Sequence, residues 1–238
     1  MDTFARQIAR YHTATGRQDA QDVQARRLIW RSFDRTIGPW LPPDRGVKIL
    51  DAGCGEGTLS LYLQSHGYTN LEGFDLSPEC VAICHRMGLS FVKQFDLLRL
   101  DAWPGSDYAV IFLMDVVEHL PKQRAAEVLE NARHKLAPGG YLIIQTPNLG
   151  SLMGSYHRYY DLTHEFGLTE KSVRDLLALA GFERHRVEVR PAWNAATLLG
   201  RLREVYLWLL HHLVFLAEDA SRPRVPTKNL LVRAFRPA

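Results

Sequence analysis

The feature that most constrains the fold of this chain is a regular alternation of short apolar segments with segments of helical spacing, between about residues 47 and 148. Proline and glycine mark segment ends, as in PECVAICHRMG, which begins with proline and finishes with glycine. The segments that predict strands are VKILDA, NLEGFDLS, SFVKQFDL, YAVIFLMDVVEHL and YLIIQTPN. Strands that alternate with helices predict an α/β fold, with a mostly parallel sheet and helices on both faces.

The parts on either side of this region have different patterns. Residues 1–46 carry apolar residues at helical spacing before the loop GPWLPPDRG, so they predict an N-terminal helical cap. Residues 47–148 are the expected ligand-binding core, and residues 149–238 are expected to supply a lid, an apolar helix and two strands, RHRVEVRPAW and NLLVRAF. The segment TEKSVRDLLALAGF predicts a helix after Thr169 without a full capping box, because Ser172 stands where Glu or Gln is typical. The prediction is one domain with a seven-stranded sheet.

The composition excludes several classes of protein. Hydrophobic residues make up 46% and charged residues 23%, which is ordinary for a soluble globular protein. The formal net charge of +3, with no run of five like charges, does not indicate a nucleic-acid partner. The three cysteines, Cys54, Cys80 and Cys84, lack the number and spacing of a disulfide framework, which favours a reducing compartment. Because we find no signal segment and no stretch of about 20 apolar residues, we expect a cytoplasmic protein.

The stretch LDAGCGEGT joins the first strand to a helix through Gly53, Gly55 and Gly57. Such a turn places backbone N–H groups at the carboxyl end of the sheet, which is typical of nucleotide binding. A phosphate-binding loop of the Gly-Lys-Ser/Thr type is excluded, because the chain has no Gly-Lys pair, and a dinucleotide turn has its third glycine one position later. Asp51, at the end of the strand, would repel a pyrophosphate and attract a cationic group. The turn therefore favours an adenosine ligand with a positive end and no phosphate.

From about residue 47 to residue 148, and more loosely to residue 182, the sequence resembles the class I S-adenosylmethionine-dependent methyltransferases. The motifs that carry the resemblance are, in order, LDAGCGEGT, GFDLS, the FDL around Asp96, IFLMDVVEHL and LAPGGYLIIQTPN. The resemblance implies a Rossmann-like fold with a lid inserted after the fifth strand, S-adenosylmethionine as cofactor and S-adenosylhomocysteine as product. It also implies that Asp75 accepts hydrogen bonds from both ribose hydroxyls and that Asp96 faces the adenine amino group. The implied cofactor-binding residues are Asp51, Ala52, Gly53, Cys54, Gly55, Asp75, Leu76, Ser77, Asp96, Leu97 and Met114.

Each of these residues has a purely structural alternative. Asp51 could cap a helix, Asp75 could be the N-cap before Pro78, and Gly53 and Gly55 could serve a tight turn without a ligand. Independent capping would not, however, place an acid at the end of three successive strands. Asp96 is the least constrained of the three acids, because several loops could move it.

Methyl transfer to a hydroxyl group usually needs a base that removes the hydroxyl proton, and histidine suits this role near neutral pH. His119 follows the fourth strand, and His164 lies in the segment that covers the acceptor in the enzymes that this chain resembles. We prefer His164 as the base and His119 as a residue that organises the site, although His119 could equally bond backbone or cofactor. Glu118 and Asp115 could instead hold a divalent cation, but no further acid at metal-site spacing supports them, so no metal is expected.

The segment GSYHRYYDLTHEFGLTEKSVRDLLALAGF resembles the late portion of small-molecule and sugar O-methyltransferases of bacterial polysaccharide and natural-product pathways, and of quinone-biosynthesis methyltransferases. The resemblance implies O-methylation of a small hydroxylated molecule or glycan, with Tyr156, Arg158, Tyr159 and Tyr160 as substrate-binding residues. The alternatives are C- or N-methylation, including a quinone-type or lipid-linked acceptor, and a protein that binds S-adenosylmethionine without catalysis. A nucleic-acid acceptor is not expected, because TPN differs from the Asn/Asp-Pro-Pro-Tyr/Phe signature of base-amino methylases.

Residues 195–217 are unusually apolar for an exposed helix. The residues that recur at helical spacing are Leu198, Leu202, Val205, Leu209 and His212. Four arginines lie within or just after this stretch, and they are Arg201, Arg203, Arg222 and Arg224. Three alternatives remain open, and they are a helix buried in the core, a homodimer face, and peripheral contact with a membrane through residues 198–217. Burial or dimerisation is the preferred pair.

Overall fold

The computed structural model describes residues 20–195, 197–218 and 223–237. The apolar spacing of residues 1–19 and the side chain of Arg222, both used above, lie outside the described residues. The division of the chain into a helical cap, a cofactor-binding core and an acceptor-side part therefore stays a prediction.

The described residues form one seven-stranded sheet with helices between its strands. The strands are β1 (Ile49–Ala52), β2 (Leu71–Asp75), β3 (Val92–Gln94), β4 (Tyr108–Met114), β5 (Leu136–Pro147), β6 (Val187–Pro191) and β7 (Asn229–Phe235). The helices are α1 (Val23–Arg35), α2 (Thr58–Ser65), α3 (Pro78–Arg86), α4 (Ala125–Lys135), α5 (Gly154–Tyr159), α6 (Glu170–Leu179) and α7 (Leu198–Ala217).

The strand order is β3-β2-β1-β4-β5-β7-β6. Strands β1 to β5 pair in parallel, whereas β7 is antiparallel to both β5 and β6. The mostly parallel seven-stranded sheet predicted from the sequence is thus confirmed. The strand order reverses between β1 and β4, and in open α/β sheets the crevice at the carboxyl ends of such strands is where ligands bind.

Strand β4 explains why the sheet is covered on both faces. Successive side chains of a strand point to opposite faces, and those of β4 enter two separate cores. Ile111 and Leu113 pack in one core with residues of α4 and α6, while Val110 and Phe112 pack in the other core with residues of α1 and α2. The continuous apolar run of this strand is therefore buried on both sides, as the sequence predicts.

Helix α6 corrects one expectation from the sequence. The Thr169 hydroxyl accepts a hydrogen bond from the Ser172 N–H at 3.2 Å, and the Ser172 hydroxyl accepts one from the Thr169 N–H at 2.8 Å. The full capping box is therefore present, because a serine hydroxyl at this position reaches back to the backbone as a Glu side chain would.

The structure of helix α7 excludes one of the three alternatives for the apolar segment 195–217. Its large apolar side chains are mostly exposed, and they include Leu198, Leu199, Leu202, Val205, Tyr206, Trp208, Leu209, Leu210, Leu213 and Leu216. His211 is its buried residue, and the ring bonds the Pro223 carbonyl oxygen at 2.9 Å. The interpretation as a core helix is therefore wrong. Among the described residues, we find no helix with the length and apolar character needed to cross a bilayer.

The glycine that precedes α2 allows a prediction about stability. Gly57 has φ of +81°, and a Cβ there would lie 2.3 Å from Leu89 Cδ1, whereas Gly88 has φ of +88° with no atom within 4 Å of such a Cβ. We expect Gly88→Ala to cost about 1 kcal/mol, from backbone strain alone, and Gly57→Ala to cost about 1–3 kcal/mol more, from overpacking. Urea unfolding of both variants measures the difference. Equal losses would show that Leu89 moves aside without cost.

Candidate active site

The glycine turn after β1 is hydrogen-bonded to the neighbouring strand β2. The N–H groups of Gly53 and Cys54 both donate to the Phe74 carbonyl oxygen, at 2.9 Å and 3.0 Å. Gly53 has φ of +74° and faces Val116, whose Cγ2 would lie 2.8 Å from an added Cβ. Gly55 has φ of +54°, and a Cβ added there would meet open space. The turn therefore packs against the segment after β4 on one side and leaves its backbone accessible at Gly55.

Asp75, the last residue of β2, stabilises the glycine turn and the residues after β2 through hydrogen bonds from backbone N–H groups. Its Oδ2 accepts from the Gly55 N–H and its Oδ1 accepts from the Ser77 N–H, both at 2.8 Å. Burial raises the pKa of this carboxyl group, and the backbone N–H donors partly oppose that effect. The N-cap of α3 is Ser77, which accepts from the Cys80 N–H, so the interpretation of Asp75 as that N-cap is wrong. A carboxylate can accept about four hydrogen bonds, so Asp75 retains acceptor capacity for a ligand hydroxyl beyond these backbone donors.

Asp51 lies buried at the end of β1, and its Oδ2 accepts a hydrogen bond of 2.7 Å from the Ser60 hydroxyl in the first turn of α2. The N-cap of α2 is Gly57, so Asp51 bonds a side chain of this helix and is not its N-cap. Burial raises the pKa of Asp51 to about 6, with hydrogen bonds from Ser60 opposing the rise and the nearby Asp75 adding to it. Asp51 and Asp75 give this end of the sheet a pair of acids beside an open backbone turn.

The other predicted cofactor-binding residues surround this turn with different exposure. The Asp96 Oδ1 accepts from the Leu98 N–H at 2.9 Å, so Asp96 caps the 3-10 helix Leu97–Ala102. The side chains of Ala52 and Leu97 belong to the core and leave only their backbone for a ligand. Cys54, Leu76 and Met114 are half-buried.

A second group of side chains lies just beyond β4. Glu118, His119 and His164 each offer one ligand atom, and these atoms all lie within 4.8 Å of one another. The rings of His119 and His164 meet edge to face, with centroids 4.8 Å apart. Val116, which touches the glycine turn, lies two residues before Glu118. The structure thus brings both predicted histidines together beside the glycine turn.

Glu118 is the most buried member of this group, at 1% exposure. Its Oε2 accepts from the Thr146 hydroxyl at 3.0 Å, while its Oε1 is buried without a hydrogen-bond partner. Burial raises the pKa of Glu118 well above its ordinary value, and the nearby Asp115 adds to the rise. Asp115 is itself held by Gln145, whose side-chain amide donates to it at 2.8 Å.

The histidines are held by the segment between α5 and α6. His119 Nδ1 lies 2.9 Å from the Thr163 hydroxyl oxygen, and that hydroxyl donates to Asp161 at 2.7 Å. The Glu165 N–H donates to the Glu118 carbonyl oxygen at 2.8 Å. This backbone bond fixes residues 160–169, called the lid segment below, and with them His164, against the turn after β4.

The predicted substrate-binding residues lie on or next to α5. Tyr156, Tyr159 and Tyr160 are 55%, 75% and 69% exposed, so none of them is packed into the protein. The Arg158 guanidinium donates to the Glu165 carbonyl oxygen at 2.8 Å and lies over the Tyr159 ring, 5.2 Å from its centroid. Arg158 therefore stabilises the lid segment, and its role toward a substrate stays a prediction.

Sequence reasoning missed three residues that organise the site. Thr146 and Thr163 orient Glu118 and His119, and a threonine carries no signal of such a role in a single sequence. Asn148 is buried, and its side-chain amide donates to the carbonyl oxygens of Val225 and Thr227, at 2.8 Å and 3.0 Å. The asparagine of TPN, a polar residue directly after an apolar strand, was the available sequence signal for this junction.

Known proteins are similar to this chain in sequence. A family model described as "Methyltransferase domain" matches residues 21–199. The ubiquinone biosynthesis O-methyltransferase of Xylella fastidiosa strain 9a5c is 32% identical over 111 residues, which cover 44% of each chain. The protein of the same name from Cereibacter sphaeroides is 32% identical over 124 residues, which cover 50% of this chain and 49% of the relative. The chain thus matches about half the length of these curated relatives.

Solved structures of low sequence identity share the fold. A SAM-dependent methyltransferase from Archaeoglobus fulgidus superposes with a TM-score of 0.65 at 20% identity, covering 88% of this chain and 94% of its own. A possible histamine N-methyltransferase from Thermotoga maritima has a TM-score of 0.66 at 15% identity and covers 98% and 99%. Phosphoethanolamine N-methyltransferase 2 of Haemonchus contortus, in complex with S-adenosyl-L-methionine, has a TM-score of 0.63 at 16% identity and covers 100% and 61%. At these identities the likeness concerns the fold alone.

Proposed function

Because the chain belongs to the class I S-adenosylmethionine-dependent methyltransferases, whose family model matches residues 21–199, we propose that it methylates a hydroxyl group. The proposed acceptor is a small molecule, or a bacterial glycan or natural-product intermediate. The observation that carries the proposal is the cluster of Glu118, His119 and His164 beside the glycine turn. A hydroxyl acceptor needs such groups, because its proton must leave as the new bond forms. The curated relatives named O-methyltransferases support the same acceptor class.

The cofactor side of the site suits S-adenosylmethionine. When bound, this cofactor supplies a methyl carbon on a positively charged sulfur, which a nucleophile displaces in line. Asp75 would accept from the ribose hydroxyls with its remaining lone pairs, and the Asp51 carboxylate favours the cationic end. Gly55 leaves space for close approach of the ligand to the backbone. Asp96 would face the adenine amino group with the oxygen that does not cap the 3-10 helix.

The acceptor side assigns different roles to the two histidines. His164, on the lid segment, takes the hydroxyl proton, and His119, held through Thr163, organises the site around it. Tyr156, Arg158, Tyr159 and Tyr160 bind the acceptor and shield the reacting atoms from water when the lid closes over them. C- or N-methylation is the alternative, and it places less demand on a base.

The test begins with calorimetric titration of ligand-stripped protein with S-adenosylmethionine, S-adenosylhomocysteine and NAD. We expect the first two to bind and NAD not to bind. Catechols, sugars and other hydroxylated acceptors are then incubated with isotopically methyl-labelled cofactor, and nuclear magnetic resonance identifies the methylated atom. A methyl group on carbon or nitrogen would contradict the proposed acceptor class. Cofactor binding without transfer to any acceptor would favour a protein that binds S-adenosylmethionine without catalysis.

The raised pKa of Asp51 predicts how cofactor affinity depends on pH. With a pKa of about 6 in the free protein, Asp51 is a carboxylate above that pH and binds a proton below it. A cationic ligand binds the carboxylate form, so affinity is expected to be highest above pH 6 and to fall, by up to about tenfold per pH unit, below it. Asp75, whose pKa is also raised, acts in the same direction. Calorimetry from about pH 5 to about pH 8 measures this dependence. Asp51→Asn should bind more weakly and depend less on pH, whereas a flat wild-type profile would contradict the role of Asp51.

We also propose that the exposed apolar face of α7 rests on an anionic membrane surface. Leu198, Leu202, Val205, Leu209 and Leu213 recur every three or four residues, so they share one side of the helix, and all are exposed. Arg201 and Arg203 are exposed on the same helix and would meet anionic headgroups. Such contact would give access to a lipid-linked acceptor.

Vesicle cosedimentation tests this surface. We expect binding to anionic vesicles that is lost when Leu202 and Leu209 are both replaced by serine, and retained in the control Leu179→Ser, whose side chain is 76% exposed on α6. Light scattering without lipid supplies the competing outcome. A dimer that the double variant abolishes, without vesicle binding by the wild type, would assign the face to a second copy of the chain.

A further inference from the structure

We infer that Glu118, His119 and His164 form a binding site for a divalent first-row transition-metal ion, with open positions for the hydroxyl group of the acceptor. The inference rests on the proposed function, since it concerns the same site, and it changes the roles of both histidines there. The two histidines become metal ligands, and the ion takes over the activation of the hydroxyl group.

The three side chains are a typical ligand set. One carboxylate and two imidazoles bind Zn²⁺, Fe²⁺, Mn²⁺ and Co²⁺ in proteins, and three protein ligands leave positions for a substrate. The ligand atoms lie within 4.8 Å of one another. An ion about 2.1 Å from each ligand atom needs separations of about 3.0–3.4 Å. Side-chain rotations that shorten the longest of these separations by about 1.4–1.8 Å would meet this requirement.

The carboxylate of Glu118 carries an independent sign of a missing partner. The residue is almost completely buried, Thr146 donates to its Oε2, and its Oε1 has no hydrogen-bond partner. A buried carboxyl oxygen without a partner is costly whether or not the group carries a charge, and a cation is a partner that would satisfy it. Among the described residues, Oε1 of Glu118 is the one carboxylate oxygen that is buried in this unpartnered state.

The contacts of His119 fit a metal ligand. The Thr163 hydroxyl donates to Asp161, so its oxygen accepts from His119 Nδ1, 2.9 Å away. This chain of hydrogen bonds places the ring proton on Nδ1 and leaves the lone pair on Nε2. Metal-binding histidines are commonly oriented in this way, by a hydrogen bond from the nitrogen that does not bind the ion.

The third ligand reaches the site through the backbone of the lid. The Glu165 N–H bonds the Glu118 carbonyl oxygen at 2.8 Å, and the His164 N–H bonds the Asp161 carbonyl oxygen at 3.3 Å. These two bonds place His164 beside Glu118, although the residues are far apart in sequence. The ligand set therefore exists only when the lid segment is docked, which links metal binding to closure of the acceptor side.

The ion explains how the hydroxyl group becomes a nucleophile. An acceptor hydroxyl that binds the ion loses its proton to solvent at a lower pH, as water does on a protein-bound cation. The oxygen then forms a bond to the methyl carbon while the carbon–sulfur bond breaks, and the electron pair of that bond stays on sulfur. The products are the methyl ether, S-adenosylhomocysteine and a proton in solution.

The direct test is titration of the full chain, stripped of metal by a chelator, with Co²⁺ followed by absorption and with Zn²⁺ followed by calorimetry. We expect one ion per chain and a Co²⁺ spectrum with nitrogen and oxygen ligands. Affinity should fall at least about tenfold in Glu118→Gln and in His164→Ala, and should stay unchanged in the control His185→Ala, whose side chain is 77% exposed.

Circular dichroism checks the fold of each variant. If Glu118→Gln does not fold, the loss of affinity in His164→Ala is the deciding measurement, because His164 is only half-buried. Absence of binding, or binding that neither variant weakens, would overturn the inference.

Activity measurements separate this inference from the proposed function. Methyl transfer to a hydroxyl acceptor should stop after chelation and resume when the ion is returned. Transfer that persists in chelated protein would overturn the metal site and leave O-methylation standing. An ion bound through these three residues, in a protein that methylates no hydroxyl acceptor, would support the metal site and overturn the proposed function.

Discussion

Replacing His164 by alanine is expected to lower kcat by about two orders of magnitude or more while leaving the affinity for S-adenosylmethionine unchanged. The residue lies in one cluster with Glu118 and His119, whereas the acids proposed for the cofactor side are those at the ends of β1 and β2. Its loss removes either the base or a metal ligand, and both roles concern only the acceptor. The affinity should therefore report an intact cofactor site.

Steady-state kinetics and calorimetry on the same preparations measure the two quantities. His185→Ala is the matched control, because it removes an exposed imidazole elsewhere. An unchanged kcat would remove His164 from the mechanism. A rate that also survives the loss of His119 would favour C- or N-methylation. A parallel loss of cofactor affinity would place His164 in the cofactor site instead.

Asp75→Ala is expected to weaken the binding of S-adenosylmethionine by about a hundredfold or more. Hydrogen bonds to a charged group contribute about 1.5–3 kcal/mol each, and the loss of two of them at the ribose corresponds to about 3 kcal/mol or more. The variant also frees the N–H groups of Gly55 and Ser77, which the carboxylate holds in the free protein. The turn would then lose part of the order that it needs for close approach to a ligand.

Two companion variants make this result specific. Asp75→Asn keeps one side-chain acceptor at the same place, so its affinity should fall between those of the wild type and Asp75→Ala. Glu130→Ala removes an exposed acid from α4 and should bind as the wild type does. Calorimetric titration with S-adenosylhomocysteine repeats the comparison without the charge on sulfur. Equal affinity of all four proteins would contradict the assignment of Asp75 to the ribose.

Much of the fold was predictable, because local patterns determine it. The apolar run of β4 is buried on both faces, and Pro78 begins α3 as its position predicts. The acids at the ends of β1 and β2 follow from the same argument, since the carboxyl ends of neighbouring parallel strands meet at one edge. The capping box at Ser172 was not predicted, which shows where sequence patterns stop being informative. Hydrogen bonds of short polar side chains depend on geometry that a sequence pattern does not contain.

The sequence by itself determined the class of fold, the glycine turn and the acids beside it, because hydrophobic period, turn residues and motif spacing are local properties of the chain. Only the tertiary structure decided that Glu118, His119 and His164 form one cluster, since His164 reaches it through the docked lid segment. The exposure of α7 also depends on the tertiary structure. An apolar helix looks the same in sequence whether it is covered by the core, by a partner or by a membrane, because packing partners are set by chain topology and not by the helix itself.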